Sequence, residues 1–291
     1  MSSDLLARRH ASIGLDEAVH AVQVHAPGRL HLGFLDPAAT LGRRFGSIGL
    51  AIEGPETVVE LSAGGDHLDR FSADDASARI ELPRAREHLE RLRQATRCLQ
   101  PLQLRLRCTL PSHAGLGSGT QLALAVGRAF CTLFQLPIES VQLAALTGRG
   151  LRSGVGIAAF DSGGLLVDGG PRADGTPAAL LARLPVPASW RVLLAIDPRM
   201  RGLSGGEERA ALAELSPLPR EAAAEICHEV LMRVLPGAAG NEFEPFAAGL
   251  TRIQRILGEH FAPAQHGRLY TSGAVDRLME WIDDHALAGL G

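Results

Sequence analysis

The 291-residue chain predicts an α+β protein. Leu102, Leu104, Leu106, Cys108 and Leu110 alternate with Gln103, Arg105, Arg107 and Thr109, the period of a strand with one buried and one wet face. Thr120 to Phe134 follows as the pattern of a buried helix. Elsewhere strand and helix patterns intersperse without the regular β-α repetition of a doubly wound fold, which favours the α+β class.

Residues 1 to about 20 show no period and read as an arm. VQVHAPGRLHLGFLD begins with alternating apolar residues and breaks at Pro27-Gly28, predicting a strand, a turn and a second extended stretch. Val58 to Leu61 is a short strand pattern, and Pro83 to about Cys98 predicts a mostly solvated helix opening with proline. After the strand and helix already described, Ser140 to Thr147 predicts a short helix. It leads into GRGLRSGVGIAAFDSGGLLVDGG, in which GIAAF and GLLVD are strand-like.

The proline- and alanine-rich run PRADGTPAALLARLPVPAS is the expected boundary between a domain at 20–175 and a second at 186–291. Trp190 to Asp197 should open the second domain as a buried strand, ahead of helices near Ser216–Leu235, Pro245–Leu257 and Ser272–His285.

Composition narrows the function. With 46% hydrophobic residues, 21% charged residues and a net charge of -3, the chain reads as globular without the basic excess of a nucleic-acid binder. One Tyr and two Trp give little material for base stacking. Small-molecule partners are expected, with no nucleic acid and no membrane. All 29 basic residues are Arg, which excludes a Schiff-base lysine and a Walker-type phosphate-loop lysine. Cys98, Cys108, Cys131 and Cys227 form no C-x-x-C pair. Neither a secretory apolar region nor an apolar run of about 18 residues occurs, so the expected compartment is the cytoplasm.

The stretch PSHAGLGSGTQ, Pro111 to Gln121, joins the clearest strand to the buried helix. A helix N-terminus leaves N–H groups unpaired and partly positive, and glycines let a phosphate approach them. Ser112, His113, Gly115, Gly117, Ser118, Gly119 and Thr120 are the expected phosphate-binding positions. Ser118 and Thr120 can also offer hydroxyls to a magnesium ion. The competing reading is that Ser118 or Thr120 merely caps the helix.

PSHAGLGSGTQLALA resembles the phosphate-loop motif of the GHMP kinase superfamily, P-x-x-x-G-L-G-S-S, and VHAPGRLHLGFLD resembles its N-terminal A-P-G-(K/R) motif. More narrowly, GLGSGTQ, FGSIGL at 45–50, SGVGIAAFDSGGLLVDGG and FAPAQHGRLYTS together resemble the beta-ribofuranosylaminobenzene 5'-phosphate synthase family of tetrahydromethanopterin biosynthesis. The resemblance implies a two-domain fold with an N-terminal ribosomal protein S5 domain 2-like part and a C-terminal ferredoxin-like αβ part. It implies a decarboxylating phosphoribosyl transferase that uses Mg2+ and joins phosphoribosyl pyrophosphate to 4-aminobenzoate or 4-hydroxybenzoate; a homodimer is expected only because that assembly is common.

The same resemblance assigns roles. Arg29 of A-P-G-R is expected to contact phosphate or pyrophosphate, or else to pair with a structural carboxylate. Asp36 is expected at magnesium or the ribose hydroxyls, or else in a turn before Pro37; with Ser118 these are the expected catalytic positions. Arg152, Ser153, Gly154 and Asp161 are expected to bind the acceptor. Two departures separate the chain from the kinases: the acceptor-side carboxylate of P-S-G-x-D is Gly156, and the second serine of G-L-G-S-S is Gly119.

An ATP-dependent GHMP kinase is the alternative, with Asp161 or Asp168 compensating for the lost carboxylate; a noncatalytic relative on the same fold is another. The family's Q-S-S-W-G-P-T segment is not found after LAGLG, which predicts an incomplete second domain with an exposed sheet edge. LSGGE at 203–207 matches an ABC-type ATPase signature and is read as a glycine turn before a helix.

Overall fold

The computed structural model describes residues 20–64, 68–112, 114–197, 199, 215–270 and 272–285, the Asp283 side chain excepted. Its frame is a long antiparallel hairpin of β1 (Ala21–Asp36) and β2 (Phe45–Ala63). Register runs from Ala21 opposite Ser62 to Asp36 opposite Phe45, with shifts at Pro27/Arg29 and His31/Gly33. The predicted turn at Pro27-Gly28 is therefore an irregularity inside one strand, because a hairpin partner continues beside it on both sides.

On its other side β2 is shared end to end. Residues Val58–Ala63 pair with β4 (Leu102–Cys108), and Ser47–Leu50 pair with β5 (Leu165–Asp168). The parallel β3 (Arg70–Ala73) extends the sheet beyond β4, and β6 (Leu180–Leu184) extends it beyond β5. β4 buries Leu102, Leu104 and Leu106 and leaves the residues between them wet, as its alternation predicts.

Helix α1 (Ala76–Thr96) starts earlier than predicted, because the Asp75 carboxylate accepts from Ala78 N and caps it; Pro83 lies inside the helix. It is amphipathic rather than mostly solvated, burying Ala85, His88, Leu89 and Leu92. α2 (Ser118–Leu133) and α3 (Ser140–Leu146) lie close to their predicted places. GIAAF is not a strand: it forms α4 (Val155–Ser162). A short apolar run carries no period of its own, and here Asp168 draws the chain into a helix from outside the run, as described below.

Trp190–Asp197 also departs from expectation. It forms no strand, and Leu193 is 89% exposed. The remaining elements are helical: α5 (Arg220–Glu229), a π-helical turn at Val230–Val234, α6 (Leu235–Gly240), α7 (Phe243–Phe261) and α8 (Gly273–Asp284). LSGGE and the C-terminal residues from 286 onward lie outside the described residues, as does the N-terminal arm.

Two apolar clusters share the hairpin. One packs α1, α2 and α3 on Val59, Leu61, Leu104 and Leu106; the other packs α5 and α7 on Ile48, Leu50, Ile52 and Val167. Each half of β1–β2 thus belongs to a different core. The glycine loop lies where the two meet, since Leu110 and Leu116 at its ends are in the second cluster while α2 runs into the first.

Candidate functional site

The loop is fixed at both ends. Leu110 N donates to Thr57 Oγ1 at 3.1 Å, and Arg29 N donates to the Leu116 carbonyl at 3.1 Å. Gly117 stands at the N-cap of α2 with φ +73°, a conformation that costs a side chain strain. Its carbonyl accepts from Thr120 N and Gln121 N, and no side chain caps the helix. The capping role considered for Ser118 or Thr120 is therefore not what the structure shows. Ser118 is the first residue of the helix proper, and the opening N–H groups of α2 are left to an outside acceptor.

Arg29 lies under this loop. A Cβ placed on Gly117 would come within 3.1 Å of Arg29 Cγ and Nε, and one on Gly156 within 3.7 Å of Nε. The Nε is buried without a hydrogen-bond partner. Burial pulls the guanidinium down to about 10, against the pull of the Asp168 charge in the other direction. It stays a cation at neutral pH, held in a setting that favours a nearby anion.

Gly156, the position of the missing kinase carboxylate, is occupied territory. Its carbonyl accepts from Gln121 Nε2 at 2.8 Å, and an added Cβ would meet Thr120 Cγ2 at 3.2 Å. Asp168, 0% exposed, is engaged within the fold. Its Oδ2 accepts from Ser153 Oγ, Gly154 N and Val155 N, and its Oδ1 from Gly170 N. It therefore anchors the start of α4. Burial nevertheless raises its pKa, partly offset by these donors.

Other expected residues serve the frame. The Asp36 oxygens accept from Ala38 N, Thr40 Oγ1 and Leu41 N, which is the turn role weighed above. Asp161 accepts from Ser140 Oγ at 2.5 Å, tying α4 to α3. Ser153 and Gly154 are committed to Asp168, and Arg152 beside them is partly buried with an interaction of its own. His113 lies outside the described residues.

Three residues absent from the sequence reading join the site. Beside Gly119, an added Cβ would lie 2.7 Å from Arg84 Nη2 and 3.2 Å from Arg149 Nη1. Arg84 pairs with the buried Glu81 at 2.8 Å, and Glu81 also accepts from Ser112 Oγ at 2.5 Å. Ser112 is thus drawn toward α1. In a chain whose every cation is one of 29 arginines, neither Arg84 nor Arg149 stands out by type. The available signal is spacing: Glu81, Arg84, His88 and Arg91 fall on one helical face.

The donor set does not build a carboxylate-anchored magnesium site. Ser118 and Thr120 offer hydroxyl oxygens, while the nearby Glu81 and Asp168 carboxylates are engaged as described. Among the described residues no cluster of three His, Cys, Asp or Glu side chains is arranged to hold a metal. A hard divalent cation in such a place is held chiefly by substrate phosphates.

A recess of about 260 Å³ lies between β1 and α7, lined by His31, Phe34, Gln254, Leu257, Phe261 and Tyr270 among others. Burial, with Arg29 adding to it, lowers His31 to about 3, so its ring is neutral. Its Nδ1 accepts from Gly33 N and its Nε2 has no partner. Among the described residues no helix is long and apolar enough to cross a membrane.

Residues 84–164 match the model of the GHMP kinases N terminal domain. The chain is 34% identical over 260 residues to beta-ribofuranosylphenol 5'-phosphate synthase of Archaeoglobus fulgidus, covering 85% of this chain and 80% of the relative. It is 30% identical over 246 residues to the synthase of the same name from Methanothermobacter thermautotrophicus, covering 79% and 74%. Among solved structures it is similar to homoserine kinase from Cytophaga hutchinsonii, with TM-score 0.61 and 16% identity over 95% of this chain and 83% of that one. At that identity the likeness concerns the fold, and the mixed helix-and-sheet arrangement agrees with it.

Proposed function

The chain belongs to the beta-ribofuranosylphenol 5'-phosphate synthase family, an enzyme family on the GHMP kinase fold, and from that premise we propose that it condenses phosphoribosyl pyrophosphate with 4-hydroxybenzoate in tetrahydromethanopterin biosynthesis. The relatives' name specifies a phenol, which favours the hydroxy acid over 4-aminobenzoate. The ring carbon bearing the carboxylate forms a bond to ribose C1 while the C1–oxygen bond to pyrophosphate breaks. The electron pair of the carbon–carboxylate bond then returns to the ring as carbon dioxide leaves. The products are the C-riboside 5'-phosphate, pyrophosphate and carbon dioxide. No proton need be removed from the attacking carbon.

The observation that carries this reading is the pairing of an uncapped helix N-terminus with a buried, unpartnered Arg29 Nε, at a place where the kinase carboxylate is absent. Positive groups fixed before the reaction act where negative charge develops on a leaving pyrophosphate. Phosphoryl transfer to a hydroxyl would instead use a carboxylate to receive the proton. The carboxylates weighed for that task, Asp161 and Asp168, are already bonded within the fold. Magnesium enters this proposal as an ion carried by the diphosphate, with Ser118 and Thr120 as the loop's hydroxyl contacts.

We place the benzoate ring in the recess between β1 and α7, which starts two residues along β1 from Arg29 and is lined by the neutral His31 with Phe34, Phe261 and Tyr270; a carboxylate without an ion pair loses carbon dioxide more readily than one held by a cation. Release of pyrophosphate and carbon dioxide from phosphoribosyl pyrophosphate, magnesium and each benzoate, with ATP omitted, tests the proposal. Equal release of both products is expected, faster with the hydroxy acid. ATP-dependent phosphorylation without carbon dioxide release would replace it with the kinase reading.

A further inference from the structure

The α1 face that meets the start of α2 carries more positive charge than the fold requires. Arg91 donates to Glu87 at 2.5 Å and to the Thr147 carbonyl at 3.1 Å, and Arg84 is held by Glu81. Arg149 enters from the connection between α3 and α4, between Gly148 and Gly150, both at positive φ. It has no ion pair among the described residues, and its Nε is buried without a partner. His88, 3% exposed, has neither ring nitrogen bonded.

Three guanidiniums thus face two carboxylates, Glu81 and Glu87, around a neutral imidazole and beside a helix N-terminus. Burial first, then the Arg84 and Arg91 charges, make the Arg149 cation harder to keep. Such crowding raises the free energy of the empty protein and is relieved by an anion. Gly119 is what admits it. A Cβ there would push the flexible ends of Arg84 and Arg149 back from the helix opening, so the residue that departs from the kinase loop is the one that leaves both guanidiniums room beside it.

We propose that Arg84 and Arg149, admitted by Gly119, form a second phosphate subsite adjoining the loop, so that the site selects a diphosphate over a single phosphate. One phosphate accepts from the α2 opening above Arg29; its neighbour lies on the α1 side against the two guanidiniums. The identity of the natural ligand rests on the phosphoribosyl pyrophosphate reading, whereas the subsite rests on the geometry around Gly119.

Calorimetric titration of the full chain with inorganic pyrophosphate and, separately, inorganic phosphate tests this at fixed ionic strength and without turnover. Arg149→Gln should weaken pyrophosphate binding by about tenfold or more, the usual effect of losing a charge-assisted hydrogen bond, and phosphate binding by less than about threefold. Arg149→Lys should recover part of the loss, and Arg84→Gln should share it. The ligand-free melting temperature of Arg149→Gln should not fall, because the charge removed was repelled by its neighbours. Equal loss for both anions, or no loss, overturns the subsite, as does a lower melting temperature with no rescue by lysine. Retained selectivity for pyrophosphate in a chain that fails to release carbon dioxide would leave the subsite standing and remove the synthase reading.

Discussion

Gly117 and Gly156 both border Arg29, and each translates a motif letter into a physical requirement. At Gly117 the φ of +73° strains any side chain, and an added Cβ would lie 3.1 Å from Arg29 Cγ and Nε, so Arg29 would have to give way. Gly117→Val should therefore cost about 1–3 kcal/mol in backbone strain and displace Arg29 from the loop. The expected result is a folded protein by circular dichroism whose affinity for phosphoribosyl pyrophosphate is at least about tenfold weaker. Unchanged affinity would refute the assigned cradle. The strand-to-helix joint that holds these glycines was legible, because glycine pattern and position mark such a joint in the sequence. The bonds of Asp36 and Asp161 within the fold were not, since a loop aspartate that closes a turn and one that holds a ligand look alike until their donors are traced.

At the scale of elements, the β1–β2 hairpin does what no separate pair of strands would, because it supplies a wall to each apolar cluster. Its contact with α7 depends on Gly33. That residue has φ +130°, and an added Cβ would lie 2.5 Å from Leu257 Cδ1. Gln254 Nε2 donates to the Leu32 carbonyl at the same place. Gly33→Ala is expected to destabilise the protein by about 1–3 kcal/mol through strain and overpacking, measured as a lower urea midpoint with an unchanged slope. The alternating strand at 102–108 was readable because each of its faces meets a different solvent. GIAAF was not, because its helix is started by Asp168, more than five residues downstream of the run and on another element.

For the molecule as a whole, two buried histidines set a pH dependence. Burial lowers His88 to about 4, with Arg149 and Arg84 adding to the effect, as burial and Arg29 lower His31 to about 3. An unfolded chain takes up these protons near pH 6.5, whereas the folded chain resists until about 4 and 3. The unfolded state thus binds more protons in that window, and stability present above about 6.5 is lost as pH falls. The slope should approach about 1.4 kcal/mol per pH unit for each histidine. Urea midpoints at about pH 7 and about pH 5 should show the loss, and His88→Gln should remove roughly half of it. An unaltered slope in that variant would assign the dependence to other groups.

The sequence by itself determined the α+β class, the strand–loop–helix joint and the family, because period, glycine placement and motif order are all properties of neighbouring residues. Tertiary structure alone decided which charged groups reach that joint. Arg84 and Arg149 come from two separate segments, and only the packing of α1 and the α3–α4 connection against α2 brings their charge to Gly119. Electrostatic interaction depends on distance through space and on burial, neither of which is written in the order of residues along a chain.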